Sequence, residues 1–146
     1  MKLTSFTDYT LRVLMYLALH RERLATIQGI AKAYAISENH LMKVVHHLAK
    51  TGVVESVRGK GGGIRLALPP EEIRLGAVVR AAEGDGPIAE CFSEDNGCCI
   101  TPSCRLIPIL AEAFNALYAV LDRHTLADLV TRPATIAKLL KIDLVR

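Results

Sequence analysis

What this sequence lacks narrows the field before any motif is considered. No stretch reaches the roughly 18 uncharged apolar residues that a membrane-crossing helix needs. The opening Met1-Lys2-Leu3-Thr4-Ser5 has neither the apolar run nor the small-residue cleavage site of a secretory signal, so a cytoplasmic protein is expected. No internal repeat or low-complexity tract interrupts the chain. The Gly-x4-Gly-Lys-Ser/Thr spacing of a phosphate-binding loop is absent, and so is the paired Cys-x2-Cys of common zinc folds. No His or Asp stands at a suggestive spacing to a cysteine, which leaves an enzyme with a cysteine nucleophile unsupported. Cysteine itself is missing everywhere except between Cys91 and Cys104.

What is present suits a small regulator. The 146 residues are 51% hydrophobic, enough for one compact domain with a dimerisation appendage and too many for global disorder. The net charge of +3 hides an uneven distribution. Residues 1–68 carry ten Lys and Arg against four Asp and Glu, whereas residues 69–104 carry two against seven. The basic first half can meet a polyanion, and the acidic segment has a different task.

Hydrophobic periodicity predicts a helix from Thr7 to His20, capped by Thr7, with Tyr9, Val13, Tyr16 and Leu17 at helical spacing and Asp8 in its first turn. A short helix follows from Ile27 to Tyr34, capped by Thr26. A tight connection through Ala35 and Ile36 leads to a third helix, capped by Ser37, running to Thr51 and stopped by Gly52. Two β-rich runs, Val53–Val57 and Ile64–Leu68, flank Arg58-Gly59-Lys60-Gly61-Gly62-Gly63, a hairpin with a flexible basic tip.

The pattern is a winged helix-turn-helix, and the fold class is mainly α with a small β-hairpin wing. The third helix would enter the major groove of double-stranded DNA. Ser37, Glu38, Asn39, His40 and Lys43 are its early outward residues. Asn39 and His40 suit base edges, and Ser37 and Lys43 suit phosphates. Thr26, capping the second helix, and Arg58 and Lys60 on the wing complete the expected DNA-contacting set.

Beyond Pro69-Pro70, a helix is expected over Leu75–Glu83, then a Gly-Asp-Gly-Pro break. A long apolar helix follows from Cys104 to Asp122. One stripe holds Ile107, Leu110, Phe114, Leu117 and Leu121; another holds Leu106, Ala113, Ala116 and Val120. Two apolar faces predict burial on both sides, most simply in a homodimer, with burial inside one subunit as the alternative. Thr125-Leu126-Ala127-Asp128 reads as a capped turn, and residues 131–146 as a short helix or a loose tail. The organisation expected is a DNA-binding domain over 1–70, a cluster loop and dimerisation helix over 71–130, and a C-terminal tail over 131–146.

Clustered thiols without an export signal point to metal or redox chemistry. Cys91, Cys98 and Cys104 are spaced widely enough to wrap a larger soft inorganic body such as an iron–sulfur cluster. Cys104 lies near a helix N-terminus, which favours its thiolate. Glu90, Glu94 and Asp95 oppose thiolate formation unless a cation is present. Zinc, a disulfide pair and inert buried thiols remain open on spacing alone.

Several segments together resemble a known family. They are Met1-Lys2-Leu3-Thr4-Ser5-Phe6-Thr7-Asp8-Tyr9, Ser37-Glu38-Asn39-His40-Leu41-Met42-Lys43, Val57-Arg58-Gly59-Lys60-Gly61-Gly62-Gly63-Ile64-Arg65-Leu66, Cys104-Arg105-Leu106 and Thr125-Leu126-Ala127-Asp128-Leu129-Val130. Over about residues 1–130 the chain resembles the iron–sulfur winged-helix regulators that include IscR, and within them the nitric-oxide-sensing repressors. The resemblance implies a dimeric repressor whose hold on its operator follows cluster state. It implies Cys91, Cys98 and Cys104 as cluster ligands, with Asp8 of the partner subunit as the fourth. IscR-like members carry a His three residues after the last cysteine, where this chain has Ile107. That difference implies the nitric-oxide branch and a [4Fe–4S] cluster, with an IscR-like [2Fe–2S] or a zinc or thiol regulator as the alternative. Cys99 departs from the pattern and could replace Cys98 or Asp8 as a ligand.

Overall fold

A computed structural model of the chain describes residues 2–144. Among them are seven helices and one hairpin: α1 (Ser5–Leu19), α2 (Ile27–Tyr34), α3 (Glu38–Lys50), β1 (Val54–Val57), β2 (Gly63–Leu66), α4 (Leu75–Glu83), α5 (Leu106–Leu121), α6 (Leu126–Leu129) and α7 (Pro133–Leu140). The first helix starts earlier than its sequence suggests. Thr4, not Thr7, is the cap, its side chain accepting from the Thr7 amide, and Thr7 is buried inside the first turn. Thr26 and Ser37 cap α2 and α3 as expected, accepting from the Gly29 and His40 amides. The tight connection between these helices turns on Ala35 at φ 54°, a left-handed position reached here without glycine. Gly52 at φ 76° ends α3 and turns the chain into β1.

The apolar stripes read from the sequence converge. Val13, Leu14 and Leu17 of α1, Ile30 of α2, and Leu41, Val44 and Leu48 of α3 are at most 2% exposed. The hairpin joins this core through Val54 and Ile64, both buried, with Glu55 opposite Arg65 on its outer face. A backbone bridge pairs Ala25 with Ile64, so the wing is tied to the stub that leads into α2. That contact is tight: a Cβ on Gly63 would lie 2.5 Å from the Ala25 carbonyl oxygen. The end of the chain returns to the same core. Leu126 is fully buried, and its amide donates to the Ile73 carbonyl. The capping box at Thr125 and Asp128 forms as read from the sequence. Residues 133–140 are helical, and Ala137 is buried.

The long helix α5 begins at Leu106, two residues after Cys104, and none of its residues is buried. Its base is fixed to α4. The Arg80 guanidinium grips the Asp122 carboxylate at 2.9 and 2.5 Å and lies 4.4 Å from the Tyr118 ring centre. Gly76 permits the approach, because a Cβ there would fall 1.9 Å from Asp122 Oδ1. From that anchor α5 presents Leu106, Ile109 and Val120, each 45–58% exposed.

Candidate DNA interface and cysteine loop

The recognition segment emerges on the outer side of the domain. Core packing consumes Leu41, Val44, Val45 and Leu48, which leaves Asn39, Met42, Lys43 and His46 on the opposite face, where they line one shallow hollow. Residues three, four and seven apart share a helix face, so one row of side chains is available to a groove. Asn39 and Lys43 stand where the sequence places them. His40 is exposed but leans toward α1, its ring 6.0 Å from that of Tyr9. Met42 and His46, outside the expected set, share this face, as the 39, 42/43, 46 spacing implies. His47 turns inward and meets the Phe6 ring edge-on at 5.4 Å.

The wing tip is built for close approach. Glu55 through Gly61 are exposed, including Arg58 and Lys60. Gly59 and Gly61 take φ of 99° and 76°, a region that penalises a side chain. Gly62 closes the turn by donating its amide to the Gly59 carbonyl, and a Cβ on it would lie 2.2 Å from the Val57 carbonyl oxygen. A basic hairpin tip and an exposed polar helix face sit on one small domain. Thr26 and Ser37 are exposed, with their hydroxyls occupied in capping their helices. Glu38 is exposed in the first turn of α3.

The four cysteines occupy the connection between α4 and α5, and all four thiols are free. Cys91, Cys98 and Cys104 are half-buried, whereas Cys99 is exposed. The connection is folded by its own polar groups. Glu90 accepts from the Gly97 amide, drawing the neighbours of Cys91 and Cys98 together. Asn96 accepts from the Cys98 amide and donates to Thr101. Two consecutive backbone turns, Thr101 to Cys98 and Cys104 to Thr101, link the second expected ligand to the third. The Leu106 amide, at the start of α5, donates to the Cys104 sulfur at 3.4 Å.

The donor set fits a soft inorganic centre by type. The geometry does not yet gather it: among the described residues no three His, Cys, Asp or Glu side chains are placed to hold one metal ion. Asp8 is half-exposed in the first turn of α1, and its carboxylate pairs with Arg12 at 2.8 Å. It is thus engaged within its own helix.

One residue that the sequence left unremarked joins the two halves. Glu83, the last residue of α4, accepts from the Thr4 amide at 2.8 Å, from the Thr4 hydroxyl at 3.1 Å and from the Thr7 hydroxyl. Burial pulls its pKa upward, but the hydrogen bonds from Thr7 and Thr4 outweigh that and hold the carboxyl below the usual carboxylate range. The cysteine connection therefore leaves α4 one residue after a contact with the start of α1.

Three core helices, a turn of a few residues before α3 and a glycine-rich basic hairpin define a winged helix-turn-helix DNA-binding regulator. The chain belongs to the Rrf2 family, whose profile, described as an iron-dependent transcriptional regulator, matches residues 3–132. It is 53% identical over 144 residues to the HTH-type transcriptional regulator NsrR of Bacillus subtilis, covering 97% of this chain and 99% of that one. It is 50% identical over 143 residues to NsrR of Geobacillus kaustophilus, covering 97% of each. Among solved structures it is similar to T. potens IscR, with a TM-score of 0.73 and 27% identity over 90% of this chain and 87% of that one. The expected fold class and the expected family stand, and the chain is a transcriptional regulator, not an enzyme. No helix among the described residues is long and apolar enough to cross a membrane.

Proposed function

We propose that this chain is a cytoplasmic, homodimeric repressor whose affinity for a palindromic operator is governed by an iron–sulfur cluster sensitive to nitric oxide. The observation that carries the reading is the pairing of a free, exposed winged-helix surface with a loop of free thiols at the root of α5. Cys91, Cys98 and Cys104 would hold the cluster, [4Fe–4S] in preference to [2Fe–2S]. Their partial burial against the exposure of Cys99 favours them as the ligand set. Asp8 of a second copy would complete it, which requires Asp8 to exchange Arg12 for the cluster. When bound, such a cluster supplies iron that reacts with nitric oxide.

The chain's own residues then carry the signal. Asp8 lies in the first turn of the helix that packs beneath α3, so holding or releasing it changes how the DNA-reading helix sits relative to its copy. The exposed seam of Leu106, Ile109, Ala113, Ala116 and Val120 repeats at alternating steps of three and four and fits a second α5. In this reading residues 1–70 read DNA, 71–130 hold the cluster and the dimer seam, and 131–146 form the C-terminal tail. Asn39 and His40 address base edges; Thr26, Ser37, Lys43, Arg58 and Lys60 address phosphates, with Glu38 at the edge of the contact. A switch from almost fully bound to almost fully free needs about 5.5 kcal/mol of differential affinity between the two states.

The test is operator binding by anaerobically purified protein before and after nitric oxide, with iron and sulfide counted in the same sample. Iron and sulfide present, with binding lost on nitric oxide, supports the reading. Protein that carries neither and still responds to nitric oxide overturns it.

A further inference from the structure

We infer that Met42 reads the methyl group of a thymine in the operator. The inference rests on the proposed DNA-reading role of α3 and names what one of its side chains recognises. Met42 is 51% exposed, although the large apolar side chains Leu41, Val44, Val45 and Leu48 of the same helix are buried. It sits between Asn39, Lys43 and His46 around a shallow hollow of 510 Å³ on the face opposite the core. Set among polar side chains, its thioether gives this face one group able to contact an apolar feature of a ligand.

In a duplex major groove the apolar feature on offer is the thymine C5-methyl, while every other base edge presents donors and acceptors. The unbranched thioether can follow that methyl across small changes in groove shape. Cationic neighbours supply complementarity to the duplex on this side: Lys43 on α3, and Arg58 and Lys60 on the wing. The positions also fit. Three residues advance a helix by about 4.5 Å, so Asn39 and Met42 stand side by side along one face of α3. Both can reach base edges of the same half-site, where Asn39 suits an adenine and Met42 a thymine methyl.

The test begins with an operator selected from random duplexes by the anaerobically purified full chain. Each thymine is then replaced singly by deoxyuridine, which removes the methyl and preserves base pairing. At one thymine per half-site, affinity of the wild type is expected to fall about fourfold per methyl removed. Met42→Ala binds the thymine and deoxyuridine operators equally, and Met42→Leu keeps the discrimination. Indifference of the wild type to every replacement overturns the inference, as does a Met42→Ala variant that remains as sensitive as the wild type. If no duplex is enriched over random DNA, the DNA-reading role itself fails and the inference falls with it.

Discussion

At the end of α4 the Glu83 carboxylate accepts three hydrogen bonds from Thr4 and Thr7, and its pKa is held down by them. A carboxyl with a lowered folded pKa contributes stability that is complete above its unfolded value and lost as pH falls through the folded one. Acid should therefore loosen α1 from α4 only below the ordinary carboxylate range. Glu83→Gln is expected to cost about 1 kcal/mol near neutral pH and to flatten the acid limb of a denaturation midpoint plotted against pH. An acid limb identical to the wild type's would remove Glu83 from the junction. Gly62 makes a second residue-scale case, since a Cβ there collides with the Val57 carbonyl oxygen at 2.2 Å. Gly62→Ala should deform the wing and weaken operator binding while the thermal midpoint of the helical core moves little. Gly86→Ala, with open space around it, should leave binding and folding near wild type. Equal operator affinity in both variants would show that the wing's shape is immaterial.

Elements differ in how openly the sequence declares them. The helices α2 and α3 were legible almost to the residue, because Thr26, Ser37 and Gly52 are local signals and Leu41, Val44, Val45 and Leu48 repeat at helical spacing. The start of α1 was not: Thr4 and Thr7 are equally good caps on paper. Both hydroxyls also meet Glu83, nearly eighty residues away, a contact that no local signal announces. The strands differ from their apolar runs at the ends: β1 begins at Val54, not Val53, and β2 starts one residue early at Gly63 and stops at Leu66, two short of Leu68. On the site, residue type was legible and placement was not. Four cysteines in one loop announce soft-ligand chemistry. Nothing local reveals that Glu90 bonds Gly97, or that His40 rests beside Tyr9. The α5 seam supplies the prediction at this scale. Ile109 is 58% exposed in the single chain, and Ile109→Glu is expected to give a folded monomer by sedimentation, with operator affinity reduced at least tenfold. A dimer unaffected by that charge would place the partner on another face.

For the whole molecule, the DNA-reading half and the thiol loop meet where α1, α4 and α5 join. Glu83 fastens the first two, and Arg80 with Asp122 fastens the second two. In the proposed reading, a change of ligation at Cys91, Cys98 or Cys104 would act on α5, and a change at Asp8 would act directly on α1. Lys60→Ala should weaken binding to all DNA and lower the salt dependence by roughly one counterion; Asn39→Ala should instead relax discrimination between operators. An unchanged salt slope, or equal losses on operator and random DNA, would remove those residues from their roles. The account turns most directly on native mass spectrometry of the anaerobically purified chain. The expected spectrum is a dimer carrying iron and inorganic sulfide, with that mass lost in Cys98→Ala and retained in Cys99→Ala. A dimer that carries only zinc, or a bare chain whose mass is the same with and without Cys98, would contradict it.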